Sequence, residues 1–222
     1  MTGNKNPAQK KPRPLGRPHK AEPGDRGLRE RIMEEAVKIF SRKGVAASSL
    51  KEISQAAGAT PAVIYYHFES RENLVVEALD THFLPLIERV WAVVDEKDDP
   101  LELITQMQKR LLANALEVPW FLDLWGREFA NAGGSLREYT ARRLPPGIVR
   151  RMAVKIRKGQ KEGRINPDLS PEMVYMSIIG ETLIPLKALD SWTHHFEEGV
   201  ELKTVIKHVS SMLAHGFKGK MK

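Results

Sequence analysis

Apolar residues recur at three- and four-residue steps along most of the chain, which is the spacing of amphipathic helices. The first such stripe starts at Leu28, continues through Ile32, Ala36 and Phe40, and is predicted to end at Gly44. No alternating pattern of useful length indicates a strand. Further helices are expected at about 70–95, 100–117, 119–131, 135–162, 171–190 and 198–216. The pattern predicts an all-α protein.

Helix start and stop signals divide the segment after Gly44 into two short helices. Ser49 and Glu52 have the spacing of a capping box, and Gly58 supplies a tight turn. Thr60 is the predicted cap of the next helix, with Pro61 at its first position. Helix, short turn, helix is the arrangement that places its second helix in the major groove of DNA.

The later helices carry similar punctuation. Ser70 is expected to open a long helix that runs toward Asp95, and Pro85 is expected to kink it. The pairs Asp99-Pro100 and Ser170-Pro171 repeat the signature of a cap followed by proline, and each predicts a helix start.

The second short helix, residues 61–68, is rich in aromatic side chains. Ile64 and Phe68 lie four apart and form its predicted inner stripe, with Tyr65 also expected to pack inward. Tyr66 and His67 are left to point outward, where a phenol and an imidazole can donate to phosphate oxygens. The alternative is that these aromatic rings only pack between the small helices.

Composition excludes several classes of protein. The 222 residues are 41% hydrophobic, enough for a core, and the chain has no cysteine, which excludes disulfides and cysteine chemistry. No apolar run predicts a membrane span or signal peptide, so we expect a cytoplasmic protein without a membrane partner. Common catalytic motifs are missing, so we expect no enzyme and no cofactor. If His194 and His195 lie on a helix, their side chains point in different directions, so we expect no metal site.

The net charge of +7 is concentrated at the N-terminus, where the first twenty residues contain six Lys or Arg and no acid. Residues 1–25 are predicted to be a disordered basic arm, either a DNA-binding element or a solvated tail. The stretch 12–20 is close to the AT-hook pattern, with Leu15 as a departure. Arg17 is therefore a candidate for minor-groove insertion or for nonspecific phosphate contact.

The segment SSLKEISQAAGATPAVIYYHFESRENLV, within residues 29–76, resembles the DNA-binding domain of the TetR family of one-component bacterial transcriptional regulators. The resemblance implies a three-helix DNA-binding domain at 26–72, followed by a helical ligand-binding and dimerisation domain at 73–218. It implies backbone contacts by the second helix, base contacts by the start of the third, and phosphate contacts beyond. The expected residues are Ser48, Ser49, Lys51, Thr60, Pro61, Ala62, Val63, Tyr66, His67 and Arg71. Because Pro61 and Ala62 lack side-chain hydrogen bonds, direct base readout should be thin.

The resemblance also implies a dimer formed by the last two large helices and an enclosed small-molecule pocket. Candidates for the dimer interface are Gly180, Leu202, Val205, Ile206, Val209, Met212 and Leu213, although burial inside one subunit is the alternative. Candidates for the pocket are Phe83, Ile87, Trp91, Met107, Leu111, Trp120, Phe121, Trp125, Phe129, Tyr139 and Met176, although any of these can be plain core.

The basic run from Arg142 to Arg164 has two interpretations, a solvated helix face or a contact for an anionic inducer or DNA. Together these features predict a repressor that binds a partly palindromic operator as a homodimer and is released by a small, largely apolar effector. The alternative is a DNA-binding or interaction adapter on the same scaffold that has no small-molecule effector.

Overall fold

The computed structural model describes residues 23–128, 136–192 and 200–219. The helices, in chain order, are α1 Pro23–Lys43, α2 Leu50–Ala56, α3 Pro61–Phe68, α4 Arg71–Ala78, α5 Leu84–Trp91, α6 Val93–Glu96, α7 Pro100–Glu117, α8 Phe121–Glu128, α9 Leu136–Arg143, α10 Ile148–Lys161, α11 Val174–Trp192 and α12 Leu202–Gly216. One isolated antiparallel bridge, Ile165 to Lys218, is the sole β pairing in these ranges. The prediction of an all-α protein is confirmed.

The first helix begins at Pro23, so it overlaps the last residues of the predicted arm. Residues 1–22, including Arg17, lie outside the described residues, as do His194 and His195. In the described part of the chain, no helix is both long enough and apolar enough to span a bilayer.

Three of the predicted helix starts are confirmed, at Ser49, Ser70 and Asp99; the Ser70 hydroxyl accepts from the Asn73 N–H at 3.0 Å. Ser49 and Glu52 form the complete capping box at the start of α2. Asp99 accepts from the backbone N–H groups of Leu101 and Glu102, at 3.0 and 2.9 Å, at the start of α7. These carboxylate and hydroxyl oxygens satisfy N–H groups that have no partner inside the helix.

Two other cap predictions need correction. Thr60 occupies the cap position of α3, but its hydroxyl makes no capping hydrogen bond. Ser170 and Pro171 open a turn, closed by the Met173 N–H on the Ser170 carbonyl, and α11 starts only at Val174. A proline after a capping residue is as compatible with the first corner of a turn as with a helix start.

The predicted long helix after Ser70 is divided into α4, a π-helical turn over Leu79–Phe83, α5 and α6. The Leu84 N–H bonds the Leu79 carbonyl, five residues back. Pro85 lacks an N–H and its ring would press on the carbonyl four residues earlier. The wider π turn just before Pro85 accommodates this, so a π turn accompanies the proline, and the expected kink stays a prediction.

One large buried cluster joins the first helices to the later ones, and a smaller cluster lies between α7, α11 and α12. Ile32 and Phe40 of α1 and Leu74 of α4 belong to the same buried cluster as Phe121 of α8 and Ile178 of α11. The predicted boundary at residue 72 therefore coincides with no gap in the packing. A displacement of the later helices is transmitted to the first ones because packed cores deform little.

The chain leaves α3 through a tight turn centred on Glu69. Glu69 has a φ of 64° and a ψ of −39°, and the Ser70 N–H reaches the Phe68 carbonyl at 2.6 Å. This three-residue γ-turn is rare and strained for a residue other than glycine. It sets the direction in which α4 leaves the helix-turn-helix unit.

Candidate nucleic-acid interface and effector cavity

The exposed surface of α2 and α3, which we call the reading face, contains most of the predicted DNA contacts. Its exposed members are Ser49, Lys51, Thr60, Pro61, Ala62, Tyr65 and Tyr66, with Val63 and His67 half-buried. Ile64 and Phe68 are fully buried, which confirms the inner stripe of α3. The reading face therefore presents hydroxyls, an amine and small apolar groups to solvent.

Tyr65 corrects the sequence prediction, because it is 53% exposed beside Tyr66 at 63%. A helix of eight residues buries only a narrow stripe, and Tyr65 lies outside it. The ring of Tyr66 meets that of His67 edge-on at 5.2 Å between centroids. Two phenolic hydroxyls, not one, are thus available to phosphate oxygens.

Ser48 and Arg71 face inward instead of toward the reading face. Ser48 is 5% exposed and its hydroxyl donates to the Gly44 carbonyl at 2.6 Å, so its side chain faces the protein and its contact with DNA stays a prediction. Arg71 is half-buried and donates to the backbone carbonyls of Val45 and, at 3.1 Å, Ser48. Its guanidinium holds residues 44–49, the α1–α2 loop, against the start of α4.

The charge next to the reading face is partly neutralised. Lys43 forms an ion pair with Glu52. The Lys43 hydrogen bond, followed by those from Ser49, lowers the pKa of Glu52. Lys51 has no ion pair among the described residues, so it is the cation of α2 best placed for a phosphate.

The C-terminal end of α8 binds the last turn of α1 and the α1–α2 loop, in a pair of contacts that we call the α8 clamp. Glu128 is only 5% exposed, and its Oε1 accepts from the Val45 N–H at 2.9 Å. Arg127 Nε donates to the Ser41 carbonyl at 3.2 Å. Gly44, with a φ of +87°, leaves room for the carboxylate, since a Cβ there would lie 3.2 Å from Glu128 Oε1. Sequence reasoning missed this contact because Arg127 and Glu128 look like an ordinary charged helix end.

A cavity of about 430 Å³ lies between α5, α7, α8, α9 and α11. Its size falls within the usual range for small-molecule sites, roughly 300 to 1,000 Å³. Six of the predicted pocket residues line it: Ile87, Trp91, Leu111, Phe121, Trp125 and Met176. The structure adds Arg137, Thr140, Ala141, Leu144, Tyr175 and Ile179.

The other predicted pocket residues are placed elsewhere. Phe83 and Met107 are fully buried core outside the wall, and Phe83 stacks on Phe121 with 6.1 Å between ring centroids. Trp120 is half-buried away from the cavity, and Phe129 lies outside the described residues. Tyr139 instead donates to Asp80 of the π turn.

Three wall residues carry hydrogen-bonding groups of interest. The Trp91 indole is 2% exposed, and its N–H makes no hydrogen bond of normal geometry within the described ranges. Tyr175 packs on it with 4.1 Å between ring centroids. Burial raises the pKa of Tyr175, so its hydroxyl is neutral at physiological pH. Arg137 adds a positive charge to the wall.

The predicted dimer residues separate into two groups. Val205, Val209 and Leu213 are buried inside the subunit, which corrects their expected place at a dimer interface. Leu202 and Met212 are exposed, Ile206 is half-buried, and Gly180 lies on α11 beside the exposed Ile184. Residues 205, 209 and 213 share one face of α12, and that face packs on the subunit's own core.

The basic run of residues 142–164 is largely neutralised by acids. Six of its nine cations form ion pairs, including Arg143 with Asp80 and Arg151 with Asp95. These pairs are partly exposed, and such pairs each contribute little to stability. The pairing favours the interpretation of a solvated helix face that joins α9 and α10 to neighbouring elements.

Comparisons with known proteins agree with this geometry. Residues 32–78 match the family model for bacterial regulatory proteins of the tetR family. The transcriptional repressor KstR2 of Mycolicibacterium smegmatis is 25% identical over 160 residues, 72% of this chain and 78% of that protein.

Solved structures share the fold across most of the chain. The ketosteroid transcriptional regulator KstR2 of Mycobacterium tuberculosis has a TM-score of 0.62 at 21% identity, over 86% of this chain and 95% of that one. AibR, solved with isovaleryl coenzyme A and operator DNA, has a TM-score of 0.61 at 21% identity, over 83% and 96% of the two chains. Residues 32–78 therefore match the DNA-binding segment of the tetR family of bacterial regulatory proteins, and most of the chain shares its fold with these solved regulators.

Proposed function

We propose that the protein is a ligand-responsive repressor, which binds a partly palindromic operator as a homodimer and is released by a small, largely apolar effector. The observation that carries this proposal is the position of α8. Phe121 at the start of α8 and Trp125 in its middle line the cavity, and Glu128 at its end holds the α1–α2 loop. A single short helix therefore touches both the effector cavity and the DNA-binding unit.

DNA binding rests on the reading face. Lys51 contacts phosphate by charge, and Tyr65, Tyr66 and His67 contact it by hydrogen bonds. The start of α3 approaches bases with Pro61 and Ala62, which offer no side-chain donors. Sequence preference then depends mainly on methyl contacts and on the shape of the operator.

Release of DNA follows from how the cavity and the reading face are joined. An effector that spreads the walls must move Phe121 or Trp125, and α8 moves with them because helices are stiff over two turns. The α8 clamp passes this displacement to the α1–α2 loop, from which α2 begins. A second connection runs through α9, where Tyr139 and Arg143 bind Asp80 of the π turn.

The dimer is proposed to form through the exposed apolar positions of the last two large helices. Ile184 of α11 and Leu202 and Met212 of α12 are exposed in the single subunit. Gly180 lies one turn before Ile184 on α11 and has room around it for a close approach by a partner helix. Two reading faces related by a two-fold axis require half-sites about one helical turn, or ~34 Å, apart.

The relatives support the same reading at the level of the family. KstR2 of Mycolicibacterium smegmatis is a transcriptional repressor, and AibR was solved with both operator DNA and an acyl coenzyme A. We also propose that the chain is divided into a basic arm, a DNA-binding domain and a helical regulatory domain. A location in the cytoplasm, where the DNA is, belongs to the proposal as well.

Binding to DNA from upstream of the protein's own gene, compared with random DNA of equal length at matched salt, tests the function. We expect a dimer in sizing experiments, a protected two-fold footprint and tighter binding to the upstream DNA by at least about a thousandfold. Equal affinity for both DNAs would favour the adapter, because that alternative keeps the scaffold without operator preference. A monomer with no footprint would contradict both the repressor and its symmetry.

A further inference from the structure

The cavity wall contains a charge that selects the chemistry of its ligand. Most of the wall is aliphatic or aromatic, so the body of the ligand must be apolar. Among the described residues of the wall, Arg137 is the one ionised side chain, and no carboxylate lines the cavity. A ligand cation would lose water beside a guanidinium and gain no counter-charge in return.

An anion is favoured at the same place, because it gains the counter-charge that a cation lacks there. A guanidinium presents parallel N–H donors that match the two oxygens of a carboxylate. Arg137 is solvent-exposed while it lines the cavity, so it lies at an edge where an acid group need not be fully desolvated. The apolar body can then extend toward Trp125 and Phe121.

The Trp91 indole gives a second, independent indication of an oxygen-bearing ligand. Its N–H is buried in the wall, and among the described residues its one polar neighbour is the Tyr175 hydroxyl, with which it makes no hydrogen bond of normal geometry. A buried donor left in this state is unfavourable, and a ligand acceptor would relieve it. A carbonyl, carboxylate or hydroxyl oxygen provides that acceptor, and a purely hydrocarbon ligand does not.

We infer that the effector is an amphipathic organic anion, an apolar body bearing an acid group that binds Arg137 and an oxygen acceptor within reach of Trp91. This inference rests on the proposed function only in naming the ligand an effector. The competing class is a quaternary ammonium compound, because Trp91, Trp125 and Tyr175 could also surround a cation with aromatic faces.

Three probes of equal chain length separate the classes: octanoate, 1-octanol and octyltrimethylammonium. Their binding to the full-length protein without DNA is measured by calorimetry and by the fluorescence of the wall tryptophans. We expect octanoate to bind at least about tenfold more tightly than 1-octanol, since a hydrogen bond to a charged group exceeds a neutral one. Octyltrimethylammonium should bind least.

Variants assign the selectivity to named groups. Arg137→Gln should lower octanoate affinity to that of 1-octanol and leave 1-octanol unchanged. Arg142→Gln is the matched control, because Arg142 lies on the same helix, pairs with Glu138 and does not line the cavity. Trp91→Phe should weaken 1-octanol by about fivefold, the loss of one neutral hydrogen bond to its hydroxyl.

The inference is overturned if octyltrimethylammonium binds more tightly than octanoate, or if octanoate and 1-octanol bind equally. It is also overturned if the preference for octanoate survives Arg137→Gln, or if octanoate shows no saturable binding. Operator binding by the ligand-free protein is measured separately. A protein that binds its operator and prefers the cation refutes only the ligand class. One that binds octanoate but shows no operator preference refutes only the proposed function.

Discussion

Truncating Glu128 to alanine is expected to uncouple effector binding from DNA binding. The substitution removes the carboxylate that accepts from the Val45 N–H at 2.9 Å and leaves the cavity wall intact, since Glu128 does not line the cavity. Effector affinity in the absence of DNA should therefore stay within about twofold of the unmodified protein. What changes is the connection between α8 and the α1–α2 loop.

The magnitude follows from the lost bond. A buried hydrogen bond to a charged group contributes about 1.5 to 3 kcal/mol, and the truncation leaves the Val45 N–H without this acceptor. For a chain of this length, a loss of about 2 kcal/mol lowers Tm by roughly 4 to 8 °C. A hundredfold effect of effector on operator affinity corresponds to about 2.7 kcal/mol of coupling. Losing the Glu128 contact of the clamp should remove at least half of that coupling and reduce the effect to about tenfold or less.

The assay is a thermodynamic cycle that links operator binding and effector binding. Operator affinity is measured with and without saturating effector, octanoate being the first probe, and effector affinity with and without operator. The two ratios must agree, because coupling is reciprocal. Glu128→Gln keeps an acceptor oxygen without the charge and should give an intermediate ratio. Glu138→Ala, which removes an exposed carboxylate paired with Arg142, should leave the ratio and Tm unchanged.

One result would refute the reasoning about α8. If Glu128→Ala lowers Tm as expected and retains the full coupling ratio, the clamp is only structural. The contact of α9 with Asp80 of the π turn is then the next route to test. Asp80→Asn would test that route by the same cycle.

Three further predictions concern the helix-turn-helix unit. Arg71→Ala should lower Tm by several degrees, because it removes donors from the carbonyls of Val45 and Ser48. An unchanged Tm together with a smaller salt dependence of DNA binding would instead support the predicted contact of Arg71 with phosphate. Lys51→Ala should weaken operator and random DNA alike and reduce the salt slope by about one unit; a selective loss of operator binding would assign Lys51 to base readout. Gly44→Ala should lower the free energy of chemical unfolding by at least about 1 kcal/mol, since a φ of +87° is unfavourable for alanine and the methyl group would meet Glu128. Wild-type stability would mean that the loop and Glu128 can shift to make room for the methyl group.

The local structure of this protein was largely determined by its sequence. The helical periodicity, the capping box of Ser49 and Glu52 and the cap at Asp99 depend on neighbours within a turn, so they could be identified without coordinates. The inner stripe of Ile64 and Phe68 followed from a four-residue spacing in the same way.

Contacts between residues far apart along the chain could be identified only from the tertiary structure. The Val45 N–H and Glu128 are 83 positions apart, and nothing in either local pattern indicates that they meet. The inward direction of Arg71 and the burial of Val205, Val209 and Leu213 inside one subunit likewise depend on which surface packs opposite them. A helical pattern shows which residues share a face but not what covers that face. The sequence therefore determined the helices and the reading face, and only the packing of distant helices decided how the cavity is joined to it.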